Sequence, residues 1–228
     1  MLVPLKDDNP LHVIRFQGVV AGIVAANIII FLVTGAVAKP EFSSAIAASW
    51  GVVPVELFSP AMHVPLSLEP VPEPVTLITY MFLHGGWLHL LFNMAFLWVF
   101  ADNIEDAFGH LGFLIFYLLC GISAGLIHAI MLPTSQLPVI GASGAVSGVL
   151  GAYVLLFPRA RLWVFFYLPI PFRIPAIIVL GLWFVLQILG VFTPVVQGQM
   201  VAWWAHIGGF LTGLLLTMVL RSRLLVRT

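Results

Sequence analysis

Six long stretches of this chain contain no aspartate, glutamate, lysine or arginine, and they limit the folds open to it. A helix needs about 20 apolar residues to cross the roughly 30 Å hydrocarbon core of a bilayer. Each stretch is close to that length, so we expect six membrane-spanning helices. The stretches are residues 16–38, 84–101, 111–132, 139–157, 174–193 and 200–220.

The composition excludes several other classes of protein. Hydrophobic residues make up 61% of the 228 residues and charged residues 8%, whereas a soluble domain carries about 25% charged residues. The net charge is zero, so the chain lacks the basic field that binds nucleic acid. The single cysteine, Cys120, excludes a disulfide framework and a cysteine-based zinc site. We predict an all-α polytopic membrane protein surrounded by lipid, without metal or cofactor.

The basic residues predict the orientation in the membrane. Eight of the nine fall on one side of the expected helices, and only Lys39 falls on the other. Basic residues concentrate in cytoplasmic segments, so we expect both termini in the cytoplasm. The expected organisation is a tail over 1–15, one membrane domain over 16–220 and a basic tail over 221–228. These short tails favour a prokaryotic plasma membrane.

The first external connection, residues 39–83, is long, apolar and rich in proline. We predict that it lies on or in the membrane interface. One alternative concerns the segment before it, because Ala36, Val37 and Ala38 resemble a signal-peptidase site. The apolar stretch ahead of that site exceeds about 20 residues, which is longer than the apolar region of a usual signal peptide and favours a retained helix.

Polar side chains inside membrane segments are costly and therefore mark candidate functional sites. Ser143 lies 16 residues before Arg159, and His206 lies 15 residues before Arg221. At 1.5 Å per residue these separations are about 24 and 22 Å, so the serine and the histidine are expected at the same depth.

The second expected helix carries further polar residues near this level. His89 lies 13 residues before Asp102, or about 20 Å at 1.5 Å per residue. Asn93 is expected one to two turns deeper, and His84 lies nearer the outer surface.

Glycines predict which helices touch. Gly144 and Gly148 recur on the fourth expected helix, and Gly209 and Gly213 recur on the sixth. Small residues at this spacing let membrane helices meet backbone to backbone. Contact between these two faces would bring the serine and the histidine within reach of each other.

These residues suit acyl transfer. A serine hydroxyl is a weak nucleophile until a base takes its proton, and His206 is the best base available to Ser143. His89, Asn93 and the backbone N–H of Ser143 are candidate donors to an oxyanion, and Gly141 permits a close backbone approach. Because no carboxylate lies at this depth, the sequence predicts a Ser–His dyad rather than a triad.

Each of these residues also has a structural explanation when it is taken alone. A membrane serine often bonds its own helix backbone, and His89 with Asn93 could bridge helices. Ser147 is expected to have that structural role, and His63, His110 and His128 are expected to be interfacial or packing residues outside the site.

In their order and spacing, the motifs resemble the rhomboid family of intramembrane serine proteases. The likeness runs from roughly residue 50 to residue 215 and rests on Phe-Leu-His-Gly-Gly at 82–86, His-Leu-Leu-Phe-Asn-Met at 89–94, Gly-Ala-Ser-Gly at 141–144 and Ala-His at 205–206. The resemblance implies a six-helix core with a catalytic serine and histidine. It also implies cleavage in or near transmembrane segments of substrate proteins.

The resemblance assigns further roles. It implies that His89 and Asn93 are an oxyanion-stabilising pair, that His84 is the other histidine of the site, and that Glu105 is a structural acid. It implies that residues 39–83 form a membrane-embedded hairpin.

Two departures from the family pattern stand out. Some members have a tyrosine where this chain has Ser147, so another group must orient His206. The first connection has Trp50 but lacks the arginine that accompanies it in some members, so the anchoring of that connection must differ.

Two other functions stay open at this point. One is a rhomboid-like protein that binds transmembrane helices without cleaving them, which the intact Ser143 and His206 disfavour. The other is a transporter or metal-site protein that uses the histidines. Internal repeats and intramembrane carboxylates are typical of transporters, and the sequence has neither.

Overall fold

The computed structural model describes residues 2–36, 39–59, 71–166, 172–193 and 201–224, and within them the chain is mostly helical. Short 3-10 turns occupy Tyr80–Phe82 and Arg221–Arg223. The helices are α1 (Gly18–Phe31, continued by a π-helical turn over Leu32–Ala36), α2 (Pro40–Trp50), α3 (Pro54–Phe58), α4 (Glu73–Thr79), α5 (Trp87–Phe108), α6 (His110–Met131), α7 (Ser143–Leu156), α8 (Ala176–Gly190) and α9 (Trp203–Leu220).

Each of the six expected membrane segments contains a helix. The helices α1, α5, α6 and α9 are long and apolar enough to cross a membrane. By contrast, α7 has 14 residues and α8 has 15, and such helices are about 21 and 23 Å long. The described residues therefore form a polytopic helical membrane protein with four candidate spans and two shorter apolar helices.

The expectation of an all-α fold is wrong at one place. The strands β1 (Leu2–Asp7), β2 (Arg161–Phe166) and β3 (Phe172–Pro175) form an antiparallel sheet with β2 in the centre. Leu162 and Val164 on β2 are fully buried, so one face of the strand packs on the protein. Aromatic and β-branched residues favour strands, and β2 is rich in them. The expected tail is thus partly an edge strand.

The residues between the expected membrane segments 84–101 and 111–132 are also mostly helical, because α5 continues to Phe108. Gly109 alone separates α5 from α6, and its φ of 71° lies in the left-handed region that glycine adopts readily. The acidic residues of this stretch therefore lie within a helix.

One of those acidic residues, Glu105, binds the beginning of α1. Glu105 accepts hydrogen bonds from the backbone N–H groups of Val19 and Val20 at 3.0 and 2.9 Å, in the first turn of α1. Its carboxylate also contacts the ring of His110. The first N–H groups of a helix have no partner within the helix, so a buried carboxylate stabilises them. This structural use agrees with the role that the resemblance implies for Glu105.

Asp7 at the end of β1 provides a test of how the sheet is held. It accepts a hydrogen bond from the hydroxyl of Tyr153 on α7, and burial raises the pKa of its carboxyl. A carboxyl whose pKa rises on folding favours the folded state below its unfolded pKa of about 3.9, and this contribution is lost as the pH rises through the folded pKa. Asparagine keeps an acceptor for Tyr153 without the charge.

We therefore expect Asp7→Asn to raise the Tm at pH 7 and to leave it unchanged at about pH 3, measured by thermal unfolding in detergent. The matched control is Asp8→Asn, because Asp8 lies 2.7 Å from Arg173 and no comparable gain is expected there. A Tm of Asp7→Asn below that of the wild type at pH 7 would contradict this reading.

The helices α7 and α9 meet through glycines. A Cβ on Gly209 would lie 1.9 Å from the carbonyl oxygen of Gly144, and a Cβ on Gly213 would lie 2.0 Å from that of Gly148. No side chain fits at either contact, so the two backbones touch directly. This packing sets the distance between the first turns of α7 and α9, where the candidate site lies.

The described parts of the first connection are attached to the segment that precedes α7. Val52 forms an isolated antiparallel bridge with Val139 through N–H to O distances of 3.0 and 2.8 Å. The carbonyl of Trp50 accepts a hydrogen bond from the Thr79 hydroxyl at 2.6 Å. The bridge ties the connection to the segment before α7, and the Thr79 hydroxyl ties two parts of the connection to each other. His63 lies outside the described residues.

Candidate active site

The structure brings Ser143 and His206 together. The hydroxyl oxygen of Ser143 lies 2.9 Å from Nε2 of His206. Ser143 is the first residue of α7, and His206 lies in the first turn of α9, so the glycine contact between these helices fixes their separation. A serine and an imidazole at this distance can exchange a proton.

The other ring nitrogen of His206 meets a residue that the sequence analysis missed. Nδ1 lies 2.8 Å from Oε1 of Gln187 on α8, and Gln187 is only 5% exposed. The ring of Trp183, one turn earlier on α8, lies 6.0 Å from the imidazole ring. The available signal was a lone amide in an otherwise apolar helix. Gln187 and Trp183 thus lie next to the histidine whose orienting group the departure at Ser147 left open.

Ser147 has the structural use that was expected. Its hydroxyl donates a hydrogen bond to the carbonyl of Ser143 at 2.6 Å, within α7. A hydroxyl bonded to its own helix in this way is satisfied locally. Ser147 therefore serves as a matched neighbour of Ser143 in mutational tests.

His89 and Gly141 flank the serine. Nδ1 of His89 accepts a long hydrogen bond of 3.4 Å from the backbone N–H of Gly85. A Cβ on Gly141 would lie 2.7 Å from Nε2 of His89 and 3.7 Å from Oγ of Ser143. Only a residue without a side chain leaves room here for both groups. The φ of Gly141, 122°, also lies in the left-handed region that favours glycine.

Gly141→Ala is therefore expected to lower cleavage of a transmembrane reporter by about 10-fold or more, because the methyl group displaces His89 and strains the backbone. Initial rates with purified protein measure the effect. The matched control is Gly86→Ala, because a Cβ there meets no atom within 4 Å. Equal rates for both variants would show that the contact with His89 does not matter.

Asn93 and His84 complete the group on and before α5. Asn93 lines the cavity beside Ser143, and its Nδ2 donates to the carbonyl of His89 at 2.9 Å. An amide nitrogen carries two hydrogens, so this bond leaves a second N–H for another acceptor. His84 is buried, and its ring packs edge-to-face on His89 with the ring centroids 5.0 Å apart.

Ser143, His206, His89 and Asn93 line an open cavity of about 1190 Å³ whose walls come mainly from α5, α7 and α8. His128, which was expected to be a packing residue outside the site, is buried at 1% exposure near the end of α6 and borders this cavity. The reason is that α6 packs against both α7 and α9, which brings its end to the level of the serine. His110, by contrast, contacts Glu105.

A metal site was not expected here. Across the part of the chain that the structure describes, no three histidine, cysteine, aspartate or glutamate side chains are grouped so as to hold a metal ion.

Fold and site together define a polytopic helical membrane protein with a serine–histidine pair in a cavity among its helices. Residues 72–223 match the family model described as the Rhomboid domain, and this is more than half of the chain. The chain belongs to the rhomboid family.

Similar proteins come from several kingdoms. RHOMBOID-like protein 5 of Arabidopsis thaliana is 33% identical over 147 residues, which are 64% of this chain and 44% of that protein. Rhomboid-like protease 5 of Toxoplasma gondii is 41% identical over 78 residues, which are 32% of this chain and 9% of that protein. Putative rhomboid protease YdcA of Bacillus subtilis is 38% identical over 80 residues, which are 35% of this chain and 40% of that protein.

The matched region spans less than half the length of each of these relatives. Because the relatives come from a plant, a parasite and a bacterium, the similarity does not favour the prokaryotic membrane expected from the short tails.

Proposed function

We propose that this chain is an intramembrane serine endopeptidase that cleaves peptide bonds in or near the transmembrane segments of membrane proteins. The observation that carries the proposal is the 2.9 Å distance between Oγ of Ser143 and Nε2 of His206 inside a cavity of an integral membrane protein. Membership of the rhomboid family and the names of two similar proteins, which call them proteases, support it.

The reaction proceeds in two halves. Oγ of Ser143 attacks the scissile carbonyl carbon while Nε2 of His206 takes the hydroxyl proton. His206 then gives this proton to the leaving nitrogen, the C–N bond breaks, and an acyl-enzyme remains. A water molecule attacks the ester, His206 takes its proton and returns it to Ser143, and the second product leaves as a carboxylic acid.

The negative charge of the tetrahedral intermediate needs hydrogen-bond donors. The backbone N–H of Ser143 belongs to the first turn of α7, where N–H groups are free and the helix dipole favours an anion. His89 and Asn93 supply side-chain donors. Gly141 keeps the space between His89 and Ser143 open. His84 shapes the site by holding the ring of His89.

The substrate reaches the site as an extended peptide. A transmembrane helix hides its carbonyl groups in its own hydrogen bonds, so the segment to be cut must unwind locally. The cavity of about 1190 Å³ exceeds the roughly 300–1,000 Å³ of small-molecule pockets and accommodates several residues of unwound chain.

The arrangement in the membrane follows the charge pattern. The helices α1, α5, α6, α7, α8 and α9 cross the bilayer, with both termini in the cytoplasm and residues 39–83 at the outer interface. The helix α7 is short because it begins at Ser143, below the outer surface. Non-helical backbone is tolerated at that depth where it lines a water-filled cavity.

The test is cleavage of a fluorescent single-span reporter protein by the purified chain in detergent or proteoliposomes. We expect two fragments with the cut inside the membrane segment or within a few residues of it. Chelation of metal ions by EDTA is expected to leave the rate unchanged. Binding of the reporter without any cleavage would instead indicate a catalytically silent member that binds helices.

A further inference from the structure

We propose that Gln187 is a positioning residue that fixes the tautomer and orientation of His206 and so takes the place of a third, charged member of the site. This inference rests on the proposed function, since the tautomer of His206 matters for catalysis only if the histidine is the base. Its evidence is a chain of hydrogen bonds from α8 through α9 to α7.

The orientation of the amide follows from its partner on α8. Nε2 of Gln187 lies 2.9 Å from the backbone carbonyl oxygen of Trp183. A carbonyl oxygen can only accept a hydrogen bond, so the amide atom that faces it must be the nitrogen. Oε1 must then face His206, where it lies 2.8 Å from Nδ1.

The tautomer of His206 follows from the orientation of that amide. An amide oxygen has no proton to give, so Nδ1 of His206 must carry the proton that joins them. In a neutral imidazole the other nitrogen is then bare. That bare nitrogen is Nε2, which lies 2.9 Å from Oγ of Ser143 and accepts its hydroxyl proton. The three hydrogen bonds therefore all run in one direction, from the Ser143 hydroxyl through His206 and Gln187 to the Trp183 carbonyl.

The surroundings of His206 hold this arrangement in place. The rings of Trp183 and Trp203 lie 6.0 and 6.3 Å from the imidazole ring, the second nearly perpendicular to it. Gln187 is almost fully buried, and a hydrogen bond is stronger where water is excluded. The side chain that orients His206 and one of the rings that flank it thus come from adjacent turns of α8.

A neutral orienting group suits this location. A carboxylate inside a membrane segment is costly, whereas an amide supplies the same acceptor without a buried charge. In a soluble serine protease, loss of the correct tautomer lowers kcat by about 10⁴-fold. The amide supplies no counter-charge, so we expect its removal to cost less, about 10- to 100-fold.

The first experiment measures the tautomer directly. Full-length protein labelled with ¹⁵N-histidine is studied by NMR in detergent at pH 7, and His206→Ala identifies the signals of His206. We expect Nδ1 to be protonated and Nε2 bare in the wild type. In Gln187→Met, which keeps the length but lacks the amide oxygen, we expect the opposite tautomer to appear. Protonation of Nε2 in the wild type would overturn the proposal without reference to any variant.

The second experiment measures cleavage of the reporter. We expect Gln187→Met to lower kcat about 10- to 100-fold with KM unchanged, and Gln187→Glu, which keeps an oxygen acceptor, to recover most of the loss. The matched control is Ile178→Met on an exposed position of α8, with no change expected. Wild-type kcat in Gln187→Met would overturn the proposal.

The two experiments separate this inference from the proposed function. If the protein has the expected tautomer but does not cleave the reporter, the role of Gln187 in orienting His206 stands and the protease function is refuted. If the protein cleaves the reporter and the tautomer of His206 is the same in Gln187→Met as in the wild type, the protease function stands and the role of Gln187 is refuted.

Discussion

Ser143→Ala is expected to lower cleavage of the reporter by at least about 10³-fold, and His206→Ala by a similar factor. The reason is that either change removes the only transfer of a proton from the nucleophile that the proposed dyad provides. The double variant is expected to be no slower than either single variant, because two groups that act as one unit lose their whole effect once. Initial rates from fragment fluorescence provide the measurement.

The control for this prediction is Ser147→Ala. Ser147 is one turn from Ser143 on α7 but bonds a carbonyl of its own helix, so a change of only a few-fold is expected. Near wild-type cleavage by Ser143→Ala, or loss of all activity in Ser147→Ala alone, would show that Ser143 is not the nucleophile. A rate loss in the double variant equal to the product of the two single losses would show that Ser143 and His206 act independently.

Gly209→Ala is expected to destabilise the fold and to abolish cleavage. The added methyl carbon would lie 1.9 Å from the carbonyl oxygen of Gly144, which is backbone and cannot rotate away. The helices α7 and α9 must then separate, which we expect to lower the free energy of unfolding by about 3 kcal/mol. The same displacement moves His206 away from Ser143. Unfolding in detergent and reporter cleavage measure the two effects.

The matched control for that change is Gly181→Ala on α8. A Cβ there meets no atom within 4 Å, and alanine is favoured over glycine in a helix by up to about 1 kcal/mol. We therefore expect unchanged or slightly higher stability and normal cleavage. Equal destabilisation by both substitutions would contradict the direct contact between α7 and α9.

The proximity of Ser143 to His206 was predictable because two independent patterns agreed. Depth could be counted along each helix from the charges that end it, and the glycines indicated which faces meet. Both patterns are local to one helix, so a single sequence contains them. The helices of the membrane segments were predictable for the same reason.

Gln187 and His128 were not predictable in this way. Gln187 is the one amide of α8 and His128 is one of a few polar residues of α6, and nothing local to either helix says which neighbour the side chain faces. Their place in the site depends on how α8 and α6 pack against α9, which is a property of the assembled bundle. The sheet escaped prediction because β1 pairs with a strand more than 150 residues away, as in the pair Leu2 and Phe166.

The most direct test of the central claim is the site of covalent reaction with a fluorophosphonate, located by mass spectrometry of the intact protein and its peptides. Such reagents react with a serine that a base has activated. We predict one adduct, on Oγ of Ser143 in the wild type, and none in His206→Ala. An unmodified wild-type protein that still cleaves the reporter, or an adduct on a different serine, would contradict the account.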